Sequence, residues 1–326
     1  MTNDDDVTAE IGRWLRRRDL TVQRLRPLPG DVSPRRYLRL RLADGRRAVA
    51  AVYPPAIRDA GRRFLATTRL LEGAGVRVPA VYDHDLDAGF MLVEDLGEHT
   101  LYDLDLDWAR RSPYLDDAVA QIARIQTIPA APVEALNPPL DGALLRRELE
   151  QTWHAVLLPR GAAVNAELAG LPSALAELCA NLAADPPVVC HRDLMARNLV
   201  PLEEPRGRVG LLDHQDLRLG PPYYDLASLL NDSLFAPEDV ERRLLAALAP
   251  TAAQQLAYRR AAAQRTLKAA GTFARCLEAG ATHHRRLIAP TLARALHHLR
   301  QVPETAALAP ALARQLEPEL GALGIC

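Results

Sequence analysis

Cys190-His191-Arg192-Asp193-Leu194-Met195-Ala196-Arg197-Asn198, followed fourteen residues later by Leu212-Asp213-His214-Gln215-Asp216, decides how the rest of the chain is read. A carboxylate (Asp193), an amide five residues on (Asn198) and a second carboxylate after an apolar run (Asp213) make an oxygen-rich set. Phosphoryl transfer needs positioning and charge compensation more than covalent chemistry. Asp193 suits the group that orients a hydroxyl and accepts its proton. It need not be a strong base, because the proton can leave late, as bonding to phosphorus develops. Asn198 and Asp213 supply a neutral and an anionic oxygen of the kind that Mg²⁺ takes when it bridges the phosphates of ATP. A lone Asp or Asn is ordinarily a turn residue or helix cap; this spacing, with Val209 to Leu212 delivering Asp213, is uncommon for caps. His191, beside the apolar Val188-Val189-Cys190, is read as a brace of the loop by hydrogen bonds.

On the N-terminal side the pattern is that of strands around one helix. A leading helix is predicted over Asp6–Arg18, strands over Val22–Leu28, Tyr37–Leu42 and Arg47–Tyr53, and a helix over Asp59–Glu72. Strands over Ala80–Tyr82 and Phe90–Val93 complete this half, and Asp44-Gly45 is a hairpin turn. After Glu94-Asp95-Leu96-Gly97 the apolar period becomes helical. Helices are predicted over Tyr114–Gln126, Gly142–Leu157, Ser173–Ala184, Tyr224–Asp232, Glu238–Ala249, Thr251–Glu278 and Pro290–Leu299, with a hairpin Leu199–Leu202/Arg208–Leu212 among them. Pro129-Ala130-Ala131-Pro132 and Asn137-Pro138-Pro139 read as irregular joints. The expected class is α+β and bilobal: a small sheet-rich lobe over residues 1–95 that binds nucleotide, a hinge beginning near Glu94, and a larger helical lobe over 98–326 for catalysis and the acceptor.

Composition narrows the partners. Hydrophobic residues at 48% and charged residues at 25% fit a globular chain, and a net charge of -1 draws it to neither nucleic acid nor lipid. Aromatics at 5% and the absence of a basic tract argue against a nucleic-acid role. No apolar run approaches the roughly 18 residues of a membrane span. Met1-Thr2-Asn3 and three aspartates do not resemble the positive start of a secretory signal. Four cysteines (Cys179, Cys190, Cys276, Cys326) are too sparse for a disulfide framework. A cytoplasmic enzyme with no obligate protein partner is expected. Lys268 is the only lysine.

The whole chain resembles the aminoglycoside phosphotransferase and choline kinase group, whose fold is like that of protein kinases. His191-Arg192-Asp193 with Asn198 matches that group's catalytic motif, and Leu212-Asp213 its magnesium motif. The resemblance implies Asp193 as base, Asn198 and Asp213 as metal ligands, and Asp225, in Tyr224-Asp225-Leu226-Ala227, as a structural residue that holds the catalytic loop. From sequence alone Asp225 could equally be a first-turn helix residue favoured by the dipole. A narrower likeness is to the anomeric kinases that phosphorylate N-acetylmuramate and N-acetylglucosamine at C1 during cell-wall recycling. It is carried by Gly30-Asp31-Val32-Ser33-Pro34-Arg35-Arg36-Tyr37, Met91-Leu92-Val93-Glu94-Asp95-Leu96-Gly97, Asp213-His214-Gln215-Asp216 with Gly220-Pro221, and the segment from Arg265 to Arg275. It implies ATP and Mg²⁺ as cofactors, a small amino-sugar acceptor and an α-linked sugar 1-phosphate as product.

Within that frame, the segment from Gly30 to Tyr37 joins two predicted strands and can fold over the ATP phosphates. Gly30 permits a tight turn, Ser33 offers a hydroxyl and an N–H, and Arg35 or Arg36 can reach anionic oxygen. It is not a Walker A motif. Glu94 to Leu96 are expected to read the adenine edge through their backbone, with Val49, Val78 and Leu211 about the ring. The departure from protein kinases is the missing third-strand lysine, whose charge Arg35, Arg36 or Arg47 can replace; otherwise the metals carry more of it. For the acceptor, Arg197, Gln215, Asp216, Asn231 and Asp232 lie near the catalytic turns, and Glu148, Trp153 and His154 on an earlier helix close the other wall. Packing alone would also turn Trp153 inward, and Asp216 could simply cap its turn. Lys268 and Arg275, two helical turns apart on one face, could meet a lactyl carboxylate or lie in solvent. The rival readings are a kinase of another sugar, an aminoglycoside, choline or homoserine, and a pseudokinase-like binding module.

Overall fold

The structure, a computed structural model, describes residues 4–28, 34–232 and 234–321. Gly30 and Ser33, both expected at the phosphates, lie outside the described residues. The chain begins with α1 (Asp4–Arg16), then β1 (Val22–Pro27), β2 (Arg36–Leu42), β3 (Arg47–Val52), α2 (Arg58–Gly73), β4 (Val81–Asp85) and β5 (Phe90–Glu94). The strands form one antiparallel sheet in the order β1-β2-β3-β5-β4. Alternation along each strand sorts the side chains between its faces. Leu38, Leu40 and Leu42 of β2, with Ala48, Ala50, Phe90 and Leu92, bury against Ile11, Trp14 and Leu15 of α1. The opposite face carries Tyr37, Val49, Ala51, Met91 and Val93, which pack with Phe64 and Leu65 of α2. This second face looks into the cleft.

The helical lobe follows as α3 (Trp108–Ile125), α4 (Ala130–Glu134), α5 (Gly142–Thr152), α6 (Leu171–Ala183), β6 (Val188–Cys190), β7 (Leu199–Pro201), β8 (Val209–Leu211), β9 (Arg218–Gly220), α7 (Tyr224–Asn231), α8 (Glu238–Leu248), α9 (Ala252–Glu278), α10 (Arg285–Leu299) and α11 (Ala309–Leu320). The fold is thus bilobal and protein-kinase-like, with a small sheet-rich lobe and a larger helical one. Two helices, α3 and α10, start more than a turn earlier than expected, and the reason is the same in both. Pro113 lies inside α3, which Asp107 caps by accepting from the Arg110 N–H, and Pro290 lies inside α10. A proline near a helix start removes one backbone bond, and burial of Leu115, Ile122 and Ile125 in the first case, and Leu292, Leu296 and Leu299 in the second, outweighs it. The short α4 starts within the expected joint at Pro129–Pro132 and runs beyond it to Glu134, and α11 lies outside the expected helices. The single helix expected over Gly142–Leu157 changes to a π turn at Trp153–Leu157.

α9 is the central helix, opened by a capping box between Thr251 and Gln254. Its run of small residues lets α5 approach closely. A Cβ added at Gly271 would stand 2.5 Å from Thr152 Oγ1 and 2.6 Å from the Thr152 backbone N. Thr152 Oγ1 in turn donates to Leu267 O at 2.5 Å. This crossing sets how far Glu148 on α5 lies from Arg265 and Lys268 on α9. Gly271→Ala is therefore expected to lose about 1–3 kcal/mol through overpacking, despite alanine's better helix propensity. Urea unfolding of the two proteins measures it; an unchanged or raised midpoint would contradict the packing argument.

Candidate active site

β6 pairs with β9, Val188 opposite Gly220 and Cys190 opposite Arg218, and releases the chain into the loop that begins at His191. Below the loop lies Asp225, in the first turn of α7 and fully buried. Its two carboxylate oxygens accept from the backbone N–H groups of His191 (2.7 Å) and Arg192 (2.8 Å). Burial pushes the Asp225 carboxyl up, and these bonds with the His191 ring offset only part of that. Arg192 sits at φ 77°, a left-handed backbone that costs a non-glycine residue about 1–3 kcal/mol unless its surroundings over-determine it. Here they do. The His191 ring donates from Nε2 to Leu212 O at 3.0 Å, Leu212 N donates to Asn198 O at 2.8 Å, and Asn198 Nδ2 donates to Asp193 O at 2.8 Å. Loop and β7–β8 hairpin are stitched into one unit.

Asp213 follows β8 at φ 59°. Its Oδ1 accepts from Gln215 Nε2 (2.8 Å) and Arg35 Nη2 (3.2 Å). His214 faces the other way, into the small lobe. It stacks on Phe64 with ring centroids 4.3 Å apart, and its Nδ1 lies 2.9 Å from Thr67 Oγ1. Burial drives the His214 pKa down to about 3, so the ring is neutral at pH 7. α2 is thereby fixed to the turn that carries Asp213.

Toward α9, Asp193 Oδ1 meets Arg265 Nη2 at 3.1 Å and Lys268 Nζ at 3.4 Å. Burial alone would push the Asp193 carboxyl up, but Lys268, Arg265 and Arg192 outweigh it and hold the group well below the usual carboxylate range. Arg265 also reaches Asp232 Oδ2 (3.3 Å). Arg192 joins Glu148 Oε1 (2.7 Å) to Asp216 Oδ2 (3.1 Å), and Arg218 approaches the other oxygen of Asp216 at 3.5 Å.

Between the lobes lies a cavity of ≈ 450 Å³. Val49, Met91, Val93 and Val200 give it apolar walls, Glu94 to Gly97 line one side, and Asn198, Asp213, Gln215 and Arg35 supply polar groups. Glu94 and Leu96 both line this cavity; the Glu94 carboxylate is engaged by Arg77 at 2.5 Å and its N–H by Ala80 O. Among the described residues, the Leu96 N–H has no acceptor in the chain. Val78 and Leu211, expected beside the ring, are instead 2% and 0% exposed within the helical-lobe core.

Other expectations need correction. Asn231 is not an acceptor-binding residue: its Nδ2 donates to Ala227 O and Tyr258 Oη, and its Oδ1 accepts from His298 Nε2, all at 2.9 Å or less, with the residue 2% exposed. Arg275 is exposed and lines a separate surface hollow with Arg147 and His154, since two turns beyond Lys268 amount to about 10 Å along the helix. Trp153 is half-buried against the helical-lobe core, the packing alternative. Arg197 lies over the Tyr102 ring at 4.3 Å. Arg36 is half-buried and does not line the cavity. Gln215 lines the cleft cavity and holds Asp213 through its Nε2. Two contributors were missed, Arg265 and His214. For Arg265 the available signal was its spacing of three residues from Lys268 on one helix face.

Glu148 offers a test of this charge network. Burial pushes its carboxyl up, yet Lys268 and Arg192 outweigh that and lower it below the ordinary 4.5. The native pKa is the depressed one, so the stability it contributes is complete above pH 4.5 and is lost as pH falls through the native value. Glu148→Gln is expected to cost about 1–3 kcal/mol at pH 7. In unfolding curves the gap between the two proteins should shrink as pH drops below that point; a gap independent of pH would refute the assignment.

Comparison with known proteins agrees with this architecture. The profile of the phosphotransferase enzyme family, APH, matches residues 24–263. The N-acetylmuramate/N-acetylglucosamine kinase of Neisseria meningitidis serogroup B is 31% identical over 304 residues, 88% of this chain and 88% of its own. The protein of that name from Pseudomonas putida is 32% identical over 260 residues, 75% and 74% of the two chains. Among solved structures, ADP-bound aminoglycoside phosphotransferase APH(2'')-Ib superposes with a TM-score of 0.60 at 16% identity, covering 90% of this chain and 99% of that one. Choline kinase LicA from Streptococcus pneumoniae gives 0.58 at 16%, covering 93% and 99%. At such identities these two establish the shared fold alone. The family match and the near full-length relatives make the chain a member of the phosphotransferase enzyme family, an ATP-dependent small-molecule kinase.

Proposed function

We propose that the protein transfers the γ-phosphate of ATP to the anomeric C1 hydroxyl of an N-acetylated amino sugar, N-acetylmuramate or N-acetylglucosamine. One observation carries the choice of acceptor class. The acids around Asp193 are already compensated: Glu148 and Asp216 by Arg192, Asp232 and Asp193 by Arg265, and Asp193 again by Lys268. A polycationic aminoglycoside or a choline needs uncompensated acids or an aromatic cage; this surround suits a neutral or singly anionic sugar. The two relatives' names point the same way.

In this reading residues 1–95 hold the nucleotide, the hinge begins near Glu94, and residues 98–326 hold the catalytic loop and acceptor. The backbone at Glu94–Leu96 meets the adenine edge, and Val49, Met91 and Val93 flank the ring. Asn198 and Asp213 suit Mg²⁺ in kind and number, since that ion combines hard oxygen ligands from one or two side chains with phosphate and water. The fit rests on how the two groups are held. Asn198 spends its Nδ2 on Asp193 O, so Oδ1 is the atom left to ligate, and Asp213 has both partners on Oδ1, so Oδ2 is left. When bound, the ion would draw charge from the phosphate oxygens. Asp193 takes its two cations on Oδ1, which leaves Oδ2 to face the acceptor hydroxyl, align it and receive its proton late in the transfer. A hemiacetal hydroxyl is more acidic than an ordinary alcohol, so a weak base suffices. The product is a sugar 1-phosphate, α-linked by the resemblance, in a cytoplasmic route that recycles cell-wall sugars.

ADP release measured over N-acetylmuramate, N-acetylglucosamine, aminoglycosides, choline and homoserine tests this. Turnover is expected with the N-acetyl sugars and is absent with their 1-O-methyl glycosides, and phosphorus NMR identifies the 1-phosphate. Asp193→Asn is expected to lower kcat by about 10²–10⁴-fold. Turnover of a 1-O-methyl glycoside would overturn the anomeric assignment, and turnover of choline or aminoglycosides alone the acceptor class. No turnover with any acceptor would favour a non-catalytic binding module.

A further inference from the structure

We infer that Arg35 is the side chain that binds the phosphate end of the nucleotide, and that it alternates between Asp213 and phosphate as its anionic partner. The inference rests on the nucleotide reading of the cavity given above. ATP and ADP bring several negative charges into a cleft whose walls are apolar, and a cation fixed there must come from arginine, because no lysine precedes Lys268 and Lys268 is engaged at Asp193. Among the described residues, the cavity is lined by two cations, Arg35 and Arg39.

Arg39 is committed elsewhere. Its Nε and Nη2 lie 2.8 and 2.9 Å from the two oxygens of Asp95, whose side chain is 2% exposed, and Nη2 also donates to Gly97 O at 2.5 Å. That fork fixes the connection between the lobes, and its release would leave a buried carboxylate with the Gly97 N–H, 3.2 Å from Asp95 Oδ1, in place of a cation. Arg47 approaches Glu203 at 3.6 Å and does not line the cavity, and neither does Arg36.

Arg35 is placed differently. It stands immediately before β2, with its side chain 14% exposed and its guanidinium 5.8 Å from the Tyr37 ring centroid. The contact that links it to the site, Nη2 to Asp213 Oδ1 at 3.2 Å, joins a cation from the small lobe to the very carboxylate assigned to the metal. Asp213, at 41% side-chain exposure, is not a buried acid that demands a permanent partner. A guanidinium fork can hold a carboxylate and a phosphate oxygen in turn, or both at once. Without nucleotide, Arg35 compensates Asp213. With nucleotide, it compensates phosphate while Gln215 keeps Asp213 Oδ1 in place. Arg35 therefore contributes to the phosphates and not to adenine.

Calorimetric titration of the full chain with adenosine and with ADP, each in EDTA and in Mg²⁺, tests this in wild type, Arg35→Gln, Arg35→Lys and Arg47→Gln. In EDTA, Arg35→Gln is expected to weaken ADP by about 10-fold or more, the scale of a charge-assisted contact, and to leave adenosine within about twofold. Arg35→Lys should regain part of the loss, and Arg47→Gln should bind both ligands as wild type does. An unchanged ratio of ADP to adenosine affinity in Arg35→Gln would overturn the inference. So would a collapse of that ratio in Arg47→Gln, or equal weakening of both ligands in Arg35→Gln and Arg35→Lys, which marks a structural role. Failure of the wild-type protein to bind either ligand would overturn the nucleotide reading itself, a result distinct from the others.

Discussion

Asp225 is a carboxylate with no exposure to solvent, and the rest of the site is arranged by how it is satisfied. A buried acid without partners would lose several kcal/mol of stability; two backbone N–H donors at 2.7 and 2.8 Å prevent that. Hydrogen bonds to a charged group contribute about 1.5–3 kcal/mol each, enough to offset the left-handed backbone at Arg192. Once Arg192 is fixed in that conformation, Asp193 turns toward α9 and the Arg192 guanidinium reaches Glu148 and Asp216. The His191 ring, held at the same point, passes the constraint to Leu212 O and so to the turn bearing Asp213. One carboxylate beneath the loop thus sets the relative positions of three functional groups above it.

Charge is distributed unequally between the two sides of the site. Asp193 carries two cations on a single oxygen, both from the rigid α9, whereas Asp213 carries one from the edge of the small lobe. The first arrangement is permanent, because Arg265 is buried and a bare guanidinium there would be as costly as a bare acid. The second is exchangeable, because Asp213 is partly in water. In the proposed mechanism, a permanent pairing suits a group that must stay aligned through each turnover, and an exchangeable one suits a group that must accept a metal and phosphates and then let them go. His214, neutral because burial holds its pKa near 3, links the lobes without adding a charge that would disturb either side.

The parts of this that were legible in the sequence are those carried by local spacing. Asp193, Asn198 and Asp213 fall on one short loop and the next hairpin, and the structure stitches them together through neighbouring backbone atoms. The strands were legible for the same reason: Leu38, Leu40 and Leu42 alternate with Tyr37, Arg39 and Arg41, so a strand that buries its leucine face follows from the period. What stayed hidden depends on contacts between distant segments. Arg265 reads as one more charge on an alanine-rich helix until α9 crosses the loop more than seventy residues away. His214 sits in a motif dominated by acids and amides, and only the approach of Thr67 and Phe64 gives it a partner. The early starts of α3 and α10 were obscured by Pro113 and Pro290, since a proline marks a boundary locally while the apolar burial that overrides it is a property of the whole lobe. Asn231 illustrates the reverse error. An amide beside catalytic residues in sequence need not face them, and here it is turned into the core by Tyr258 and His298.

The same pairing that positions Asp193 limits what it can do. Two cations at 3.1 and 3.4 Å stabilise its ionised form and keep the carboxyl well below the ordinary range, so it holds a proton weakly. An acceptor with an ordinary alcohol pKa would gain alignment from Asp193 but little help in losing its proton before phosphorus is attacked. An acceptor whose hydroxyl is itself more acidic asks less of the base, and a hemiacetal at C1 has that property. In the proposed reaction, alignment and acidity are then supplied by different partners, the first by the protein and the second by the sugar. The proposed anomeric chemistry and the compensated surround of Asp193 follow from one constraint: a base locked in place by arginine and lysine works best on a hydroxyl already inclined to ionise.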